Sequence, residues 1–136
     1  MDTHDSNLHQ LNNTHLLLDL YSANEHGVLG AIKHLNHYKG QKVFVGMPLK
    51  ELGDTSETVH RRIFTALKKQ KTKVFWIGTD YEAIGKEILG NLWQGGDLET
   101  LKSQVAIFGD NDAILLESRL PQSVGDLFSV NSPQLQ

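Results

Sequence analysis

The chain has 136 residues, which suits one domain of ordinary size and is too short for two. Its composition, 39% hydrophobic and 21% charged, is typical of a folded globular protein, and its net charge of −3 argues against a nucleic-acid binder. The absence of cysteine excludes disulfides and cysteine-based zinc sites.

Segments for membrane insertion, export and phosphate binding are missing from the sequence. No apolar run approaches the roughly 20 residues that a membrane span requires. Residues 1–5 are polar and acidic, unlike a signal peptide, so we expect a cytoplasmic protein. Neither the G-x-x-x-x-G-K-[ST] loop nor the G-x-G-x-x-G fingerprint occurs, and the segment from Gly27 to Lys33 has the wrong spacing for the former.

The two ends of the chain differ in composition from its centre. Residues 1–13 are polar and rich in Asn, His and Asp, which predicts a flexible N-terminal arm. Residues 129–136 are similar and contain Pro133, which predicts a C-terminal tail. The folded domain is therefore expected to span residues 14–128.

The first part of this domain reads as strand, helix, strand. Residues 15–19 and 43–45 are short apolar runs, typical of strands buried on both faces. Between them, Asn24 is placed as a helix N-cap and Gly40 as a helix end. Apolar residues recur at helical spacing between these two, at Val28, Leu29, Ile32 and Leu35.

The middle of the domain repeats this alternation. A loop over residues 47–53 leads to a helix whose start matches a capping box with Asp54 as the cap. Residues 73–78 predict the third strand, and residues 79–82 open the next helix. The pair Gly95-Gly96 is expected to break the chain.

The last part predicts a short helix, a strand and a final helix. Asp97 is placed to cap a helix that runs towards Phe108, and a strand over residues 105–108 is the alternative. Residues 113–116 predict the last strand, and Pro121 can start a final short helix. Alternating strands and helices predict an α/β domain with a mostly parallel sheet covered by helices on both faces.

Ligands of such sheets bind beyond the carboxyl ends of the strands, which directs attention to four segments. These are residues 19–24, 46–53, 78–80 and 117–119. The Asp19 carboxylate could accept hydrogen bonds from a ribose or hold a metal, and the Asn24 amide could contact a base edge. The alternative is that both residues only satisfy backbone donors at the helix start.

Histidines offer weaker signals. His34 and His37 lie three residues apart on a predicted helix, with His26 one to two turns earlier, but no carboxylate partner or H-E-x-x-H motif accompanies them. We therefore predict no metal site. His60 is interpreted as a surface or packing residue. The lysines of residues 68–73 are interpreted as a solvated helix end that complements the helix dipole.

Three segments, in the same order and at similar intervals, resemble motifs of the C-terminal domain of Mur ligases. The motifs are D-x-Y-x-A-N-P-x-S, G-x-M-x-E-L-G with a trailing His, and D-V-x-L-x-K-G-S-R. The corresponding segments here are Asp19 to Asn24, Gly46 to Gly53 with His60, and Asp112 to Arg119. The resemblance covers residues 14–128 and is nearest to the branch that adds D-alanyl-D-alanine to the UDP-muramoyl tripeptide.

The resemblance implies a Rossmann-like three-layer domain that closes over a separate ATPase domain. In this family, ATP and a carboxylate form an acyl phosphate, which an amine then attacks. By resemblance, the nucleotide would be contacted by Asp19, Tyr21 and Asn24. The entering amine substrate would lie near Glu51, Leu52, Gly53, Ser118 and Arg119.

The resemblance leaves any catalytic residue of this chain unknown. It also implies ATP and Mg²⁺ as cofactors of the complete ligase, with neither bound tightly by this chain alone. The expected partners are the ATPase domain, a UDP-muramoyl peptide and an amino acid or dipeptide, with no nucleic acid and no membrane.

The sequence departs from the family motifs at several positions. The family's Pro is Glu25 here, the following Ser position is Gly27, and an extra residue separates Gly46 from Glu51. The family's Lys in the last motif is Glu117, which reverses the charge.

Two other functions are compatible with parts of the pattern. The first is a standalone α/β binding or regulatory module that has lost ligase chemistry. A receiver domain with Asp19 as phosphoacceptor is a version of it, but the acidic pair that receivers use to hold Mg²⁺ is absent. The second is a ligase domain for another amine, such as glutamate in folate polyglutamylation.

Overall fold

The computed structural model describes residues 14–21, 24–50 and 52–130, which form strands and helices in alternation. The strands are β1 (His15–Asp19), β2 (Lys42–Gly46), β3 (Lys73–Trp76), β4 (Trp93–Gly95) and β5 (Ala113–Glu117). The helices are α1 (Glu25–Leu35), α2 (Ser56–Lys69), α3 (Glu82–Leu89), α4 (Leu98–Val105) and α5 (Gln122–Leu127). Two 3₁₀ turns lie at Gly53–Thr55 and Gly90–Leu92.

All five strands are parallel and form one sheet in the order β1-β5-β2-β3-β4. This architecture confirms the predicted α/β class with a Rossmann-like three-layer arrangement. The last strand, β5, returns to the middle and pairs with β1 on one side and with β2 on the other. The carboxyl ends of β1, β5, β2 and β3 therefore meet at one edge of the sheet, which we call the carboxyl edge.

Two hydrophobic cores lie on opposite faces of the sheet. Helices α1, α2 and α3 bury one face through side chains that include Ile32, Phe64 and Leu89. Helices α4 and α5 bury the other face, with Leu101 and Phe128 each fully enclosed. Since β5 is buried along its whole length, it supplies side chains to both cores.

The start of α2 differs from its predicted capping box. Asp54 lies in a 3₁₀ turn instead of capping the helix, which begins at Ser56 after Thr55 without a side-chain cap bond. Gly53 takes a left-handed conformation (φ 60°), and the Thr55 hydroxyl donates to the Leu52 carbonyl. The capping assignment was wrong because these local bonds form a 3₁₀ turn over Gly53–Thr55, directly before the helix begins.

Two boundaries near β3 and β4 also depart from the sequence prediction. Strand β3 ends at Trp76, and α3 begins only at Glu82, because Gly78 and Tyr81 both take positive φ angles (109° and 66°). The short strand β4 was not predicted, since its last residue belongs to the Gly95-Gly96 pair that was expected to break the chain.

Predictions for the last third were largely correct. Asp97 caps α4 as expected, accepting hydrogen bonds from the amides of Glu99 and Thr100 (both 3.1 Å). The alternative of a strand over residues 105–108 is wrong, because α4 continues to Val105. Pro121 immediately precedes α5, as predicted.

At the ends of the chain, the predicted arm (residues 1–13) and residues 131–136 of the predicted tail lie outside the described residues. Val130, a described residue, was assigned to the tail, but its side chain belongs to the core and its carbonyl accepts a hydrogen bond from the Gln122 side-chain amide (2.9 Å). None of the helices in the described part of the chain is both long and apolar enough to cross a membrane.

Two helical glycines allow a matched test of the packing around α3. A Cβ at Gly85 would lie 2.1 Å from the Trp93 ring, whereas a Cβ at Gly30 in α1 would meet nothing within 4 Å. We expect Gly85→Ala to lower the free energy of unfolding by about 1–3 kcal/mol through overpacking. Gly30→Ala should be neutral or stabilise by up to about 1 kcal/mol. Urea denaturation of both variants checks this, and equal effects would contradict the described contact.

Candidate functional site

Asp19 lies at the carboxyl edge, as the residue that ends β1. Its side chain is partly buried, and its Cα is in register with that of Glu117 on β5. The Ser118 amide continues this pairing by donating to the Asp19 carbonyl (2.9 Å). Two residues that the sequence placed in separate groups, Asp19 and Ser118, are therefore neighbours.

Glu117 places a second carboxyl group beside Asp19. Its side chain is 1% exposed, and its Oε2 accepts a hydrogen bond from the Ser118 amide (3.0 Å). Burial raises the pKa of Glu117 to about 10, together with the hydrogen bond and the negative charge of Asp19. Glu117 is therefore neutral at neutral pH.

The sequence alone does not predict this pair, because the pair depends on strand order. Glu117 was noted only as a reversal of the family's Lys, and Asp19 is 98 residues away along the chain. The available signal was that both carboxylates end predicted parallel strands. Nothing in the sequence states that β5 pairs with β1 instead of β4.

Ser118 occupies a conformation that serine seldom adopts, with φ 72°. Its side chain is 5% exposed, and its hydroxyl oxygen has no hydrogen-bond partner among the described residues. The next residue, Arg119, is exposed. The strand exit thus presents an unsatisfied buried hydroxyl beside a solvent-accessible guanidinium.

An open cleft of about 460 Å³ extends from Asp19 between β1 and α1. Small residues of α1, Gly27, Gly30 and Ala31, form one wall. At the start of that helix, Asn24 accepts a hydrogen bond from the Gly27 amide (2.8 Å), which confirms its predicted role as an N-cap. Tyr21 is 67% exposed, so its ring is available for stacking.

A second cleft of about 640 Å³ lies beyond the ends of β2 and β3. It has no lining residue in common with the first cleft. Its lining includes Leu52 and Gly53, whereas Glu51 lies outside the described residues. The predicted substrate group is therefore divided: Ser118 and Arg119 follow β5 beside Asp19, and Leu52 and Gly53 line the β2–β3 cleft.

His60 lies beneath the β2–β3 cleft and is hydrogen bonded to two residues that line it, Leu49 and Ser56. The ring is fully buried in the described structure; Nδ1–H donates to the Ser56 carbonyl (2.7 Å), and Nε2 accepts from the Leu49 amide (3.1 Å). Tyr81 stacks on it with ring centroids 3.9 Å apart. Burial lowers the pKa of His60, which keeps the ring neutral and able to accept from Leu49.

Trp76 and Tyr81 stabilise another part of this cleft, the turn after β3. The Trp76 indole donates to the Asp80 carbonyl (2.8 Å), and the hydroxyls of Tyr81 and Ser56 are hydrogen bonded to each other. Trp76 was predicted only as a core residue, and Tyr81 was not singled out. Their contacts hold the turn after β3 against the start of α2.

His34, near the end of α1, and His37, which follows that helix, do not form a metal site with the described residues around them. His34 and His37 lie with ring centroids 5.8 Å apart, and His34 also stacks on Tyr38 (6.3 Å). Within residues 14–21, 24–50 and 52–130, no group of three or more His, Cys, Asp or Glu side chains could hold a metal ion.

Comparison with known proteins identifies the fold. No protein-family profile and no curated protein sequence matches the chain. Among solved structures, it is similar to the MurF ligase from Thermotoga maritima in complex with ADP, with a TM-score of 0.64 and 21% sequence identity. The similarity covers 83% of this chain but 28% of that ligase. The chain therefore has the fold of a part of a Mur ligase.

The raised pKa of Glu117 predicts a stability effect that depends on pH. Between its ordinary value of 4.5 and about 10, the unfolded chain has lost this proton while the folded chain keeps it, so rising pH favours unfolding. We expect Glu117→Gln to remove this dependence. The unfolding free energy of the variant minus that of the parent should therefore increase as pH rises. The increase should be up to about 1.4 kcal/mol per pH unit between about pH 5 and 9.

Urea denaturation at a series of pH values measures this difference. The matched control is Glu99→Gln at an exposed glutamate of α4, whose stability curve should run parallel to that of the parent. A Glu117→Gln curve that also runs parallel would show that Glu117 does not carry a buried proton.

His60 predicts the opposite dependence at acid pH. Because its pKa is lowered in the folded chain, the unfolded chain takes up a proton first as pH falls below 6.5, and stability declines. We expect His60→Gln to be less stable at pH 7 by about 1–3 kcal/mol and to lose this His-dependent decline. Thermal denaturation between about pH 5 and 7 tests it, with His26→Gln at an exposed position of α1 as the control.

Proposed function

We propose that this chain is the C-terminal domain of an ATP-dependent amide ligase of the Mur family. The complete enzyme would act in peptidoglycan precursor synthesis and hence in cell-wall biogenesis, cell shape and cell division. The observation that carries the proposal is that three residues matching the family's nucleotide motif, Asp19, Tyr21 and Asn24, lie at or just after the end of β1. This is the carboxyl edge of a sheet whose fold is similar to part of a Mur ligase.

The chemistry of these three residues suits one end of a nucleotide. The Asp19 carboxylate can accept hydrogen bonds from ribose hydroxyls at the rim of the sheet. The exposed Tyr21 ring can stack on a base. Asn24 uses its carbonyl oxygen for the cap, which leaves its amide NH₂ as a donor for a base nitrogen.

The entering amine substrate would approach the remainder of the carboxyl edge. Leu52 and Gly53 line the β2–β3 cleft, and Glu51 directly precedes them in the sequence. Arg119, exposed after β5, can bind a substrate carboxylate, and the unsatisfied Ser118 hydroxyl can add a hydrogen bond. Because β5 pairs with β2, both groups face the same side of the domain.

A separate ATPase domain would supply what this chain lacks. It would hold the phosphates of ATP with Mg²⁺, since the sequence has no phosphate-binding loop. The carboxylate of a UDP-muramoyl peptide would attack the γ-phosphorus to give an acyl phosphate and ADP. The amine would then displace inorganic phosphate and form the amide. We assign no catalytic residue on this chain, and a cytoplasmic location follows from the family's substrates.

A second candidate is a binding or regulatory module that has lost ligase chemistry. The observation that favours it is Glu117, where the Mur motif has Lys. A neutral carboxyl at this point supplies no positive charge for an anionic substrate. Both candidates retain an interface at the carboxyl edge, and they differ in whether ATP binds there.

A titration of Mg·ATP into the ¹⁵N-labelled chain tests the proposal. We expect millimolar binding, because half of the pocket belongs to another domain, with shift changes centred on Asp19, Tyr21 and Asn24. Asp19→Ala should weaken the binding about tenfold or more, because one hydrogen bond to a charged group is lost. Asp110→Ala is the matched control, since it removes an exposed carboxylate before β5, at the opposite edge.

Three outcomes would contradict the ligase-domain proposal. They are ATP binding in the low micromolar range without the phosphate loop, shift changes elsewhere on the domain, and equal effects of Asp19→Ala and Asp110→Ala. The complete absence of ATP-dependent shifts would favour the second candidate.

A further inference from the structure

We infer that Glu117 is a positioning residue for Asp19: its protonated carboxyl donates a hydrogen bond to the Asp19 carboxylate and holds it at the rim of the sheet. The inference deepens the proposed function, because it concerns the residue proposed to contact the nucleotide. The pairing itself can be tested without a nucleotide.

Strand geometry brings the two carboxyls to the same face. Side chains alternate along a strand, so Glu117 shares a face with Leu115, and Asp19 shares one with Leu17. Leu115 and Leu17 both belong to the core beneath α1 and α2. Since Asp19 and Glu117 are also in register on adjacent strands, their side chains lie directly beside each other.

The atoms of the pair are removed from water. Asp19 Oδ2 and Glu117 Oε1 are both buried, and the Asp19 carboxylate is close enough to raise the pKa of Glu117. Two carboxylates held this close cannot both remain charged in a buried place. One proton between them resolves the conflict, and the more buried Glu117 is the one that keeps it.

The Ser118 amide fixes the geometry of this arrangement. It donates to Glu117 Oε2 (3.0 Å) and to the Asp19 main-chain carbonyl (2.9 Å). Ser118 itself takes a left-handed backbone conformation directly after the end of β5. Because Oε2 of Glu117 accepts this hydrogen bond, Oε1 is the oxygen that faces Asp19.

The charged groups of the surrounding elements do not replace Asp19 as the partner. Lys42 of β2 lies in register with Ala113, at the opposite end of β5. Glu25 at the start of α1 is held by Arg62 of α2. The other titratable residues of α1 are His26, Lys33 and His34, of which His34 lines the cleft that also contains Asp19.

A purely structural role for Glu117 makes a different prediction from a positioning role. If Glu117 only filled space, an apolar residue of similar size would serve as well or better, because a buried neutral acid contributes less than a hydrocarbon side chain. If it positions Asp19, the requirement is a hydrogen-bond donor. Gln retains that donor, and Leu removes it.

The χ1 angle of Asp19 distinguishes the two roles. We would measure its three-bond couplings by NMR in the full chain, in the parent, Glu117→Gln and Glu117→Leu, after confirming the fold from ¹H–¹⁵N spectra. We expect one rotamer in the parent and in Glu117→Gln, and rotamer averaging in Glu117→Leu. A single unchanged rotamer in Glu117→Leu would overturn the inference.

The titration of Glu117 provides a second measurement that does not depend on the Leu variant. In Asp19→Asn, the pKa of Glu117 should fall by about one unit or more, because the neighbouring negative charge is lost. An unchanged pKa would show that the two groups do not interact and would overturn the inference. Confirmation of the pair together with a negative Mg·ATP titration would contradict the proposed function alone.

Discussion

Strand β5 hydrogen-bonds to β1 on one side and to β2 on the other, and the candidate site depends on this insertion. Without it, Asp19 would end an isolated edge strand, and the loop after β2 would have no connection to it. Because β5 is the last of the five strands along the chain and β1 is the first, the site joins residues that are far apart in the sequence. Because these strands are parallel, the carboxyl ends of β1, β5, β2 and β3 all lie at the carboxyl edge.

Two buried titratable groups, Glu117 and His60, lie behind this edge, and each is neutral in the folded chain. Their neutrality has the same physical cause, which is burial, but opposite consequences for stability as pH changes. Each also bonds to backbone: Glu117 to the Ser118 amide and His60 to the Leu49 amide. These side chains accept hydrogen bonds from backbone amides that follow β5 and β2. They thereby fix the ends of the two strands through polar contacts that the apolar cores cannot provide.

The sequence was sufficient to predict the α/β class, the limits of β1 and the caps Asn24 and Asp97, because apolar runs and helix caps are local signals. It was insufficient for Asp54, where a 3₁₀ turn competes with the cap. It could not predict the carboxyl pair either. That pair requires knowing which strands are neighbours, and strand order is set by packing of the whole domain, not by any local segment.

The space beside Gly30 offers access to the cleft next to Asp19. A Cβ at this position meets nothing within 4 Å, and the chain contains no cysteine. A thiol introduced there would be unique in the molecule and would point away from both cores. It could therefore carry a fluorophore or spin label at the mouth of the cleft, and the approach of another domain could be followed as a distance.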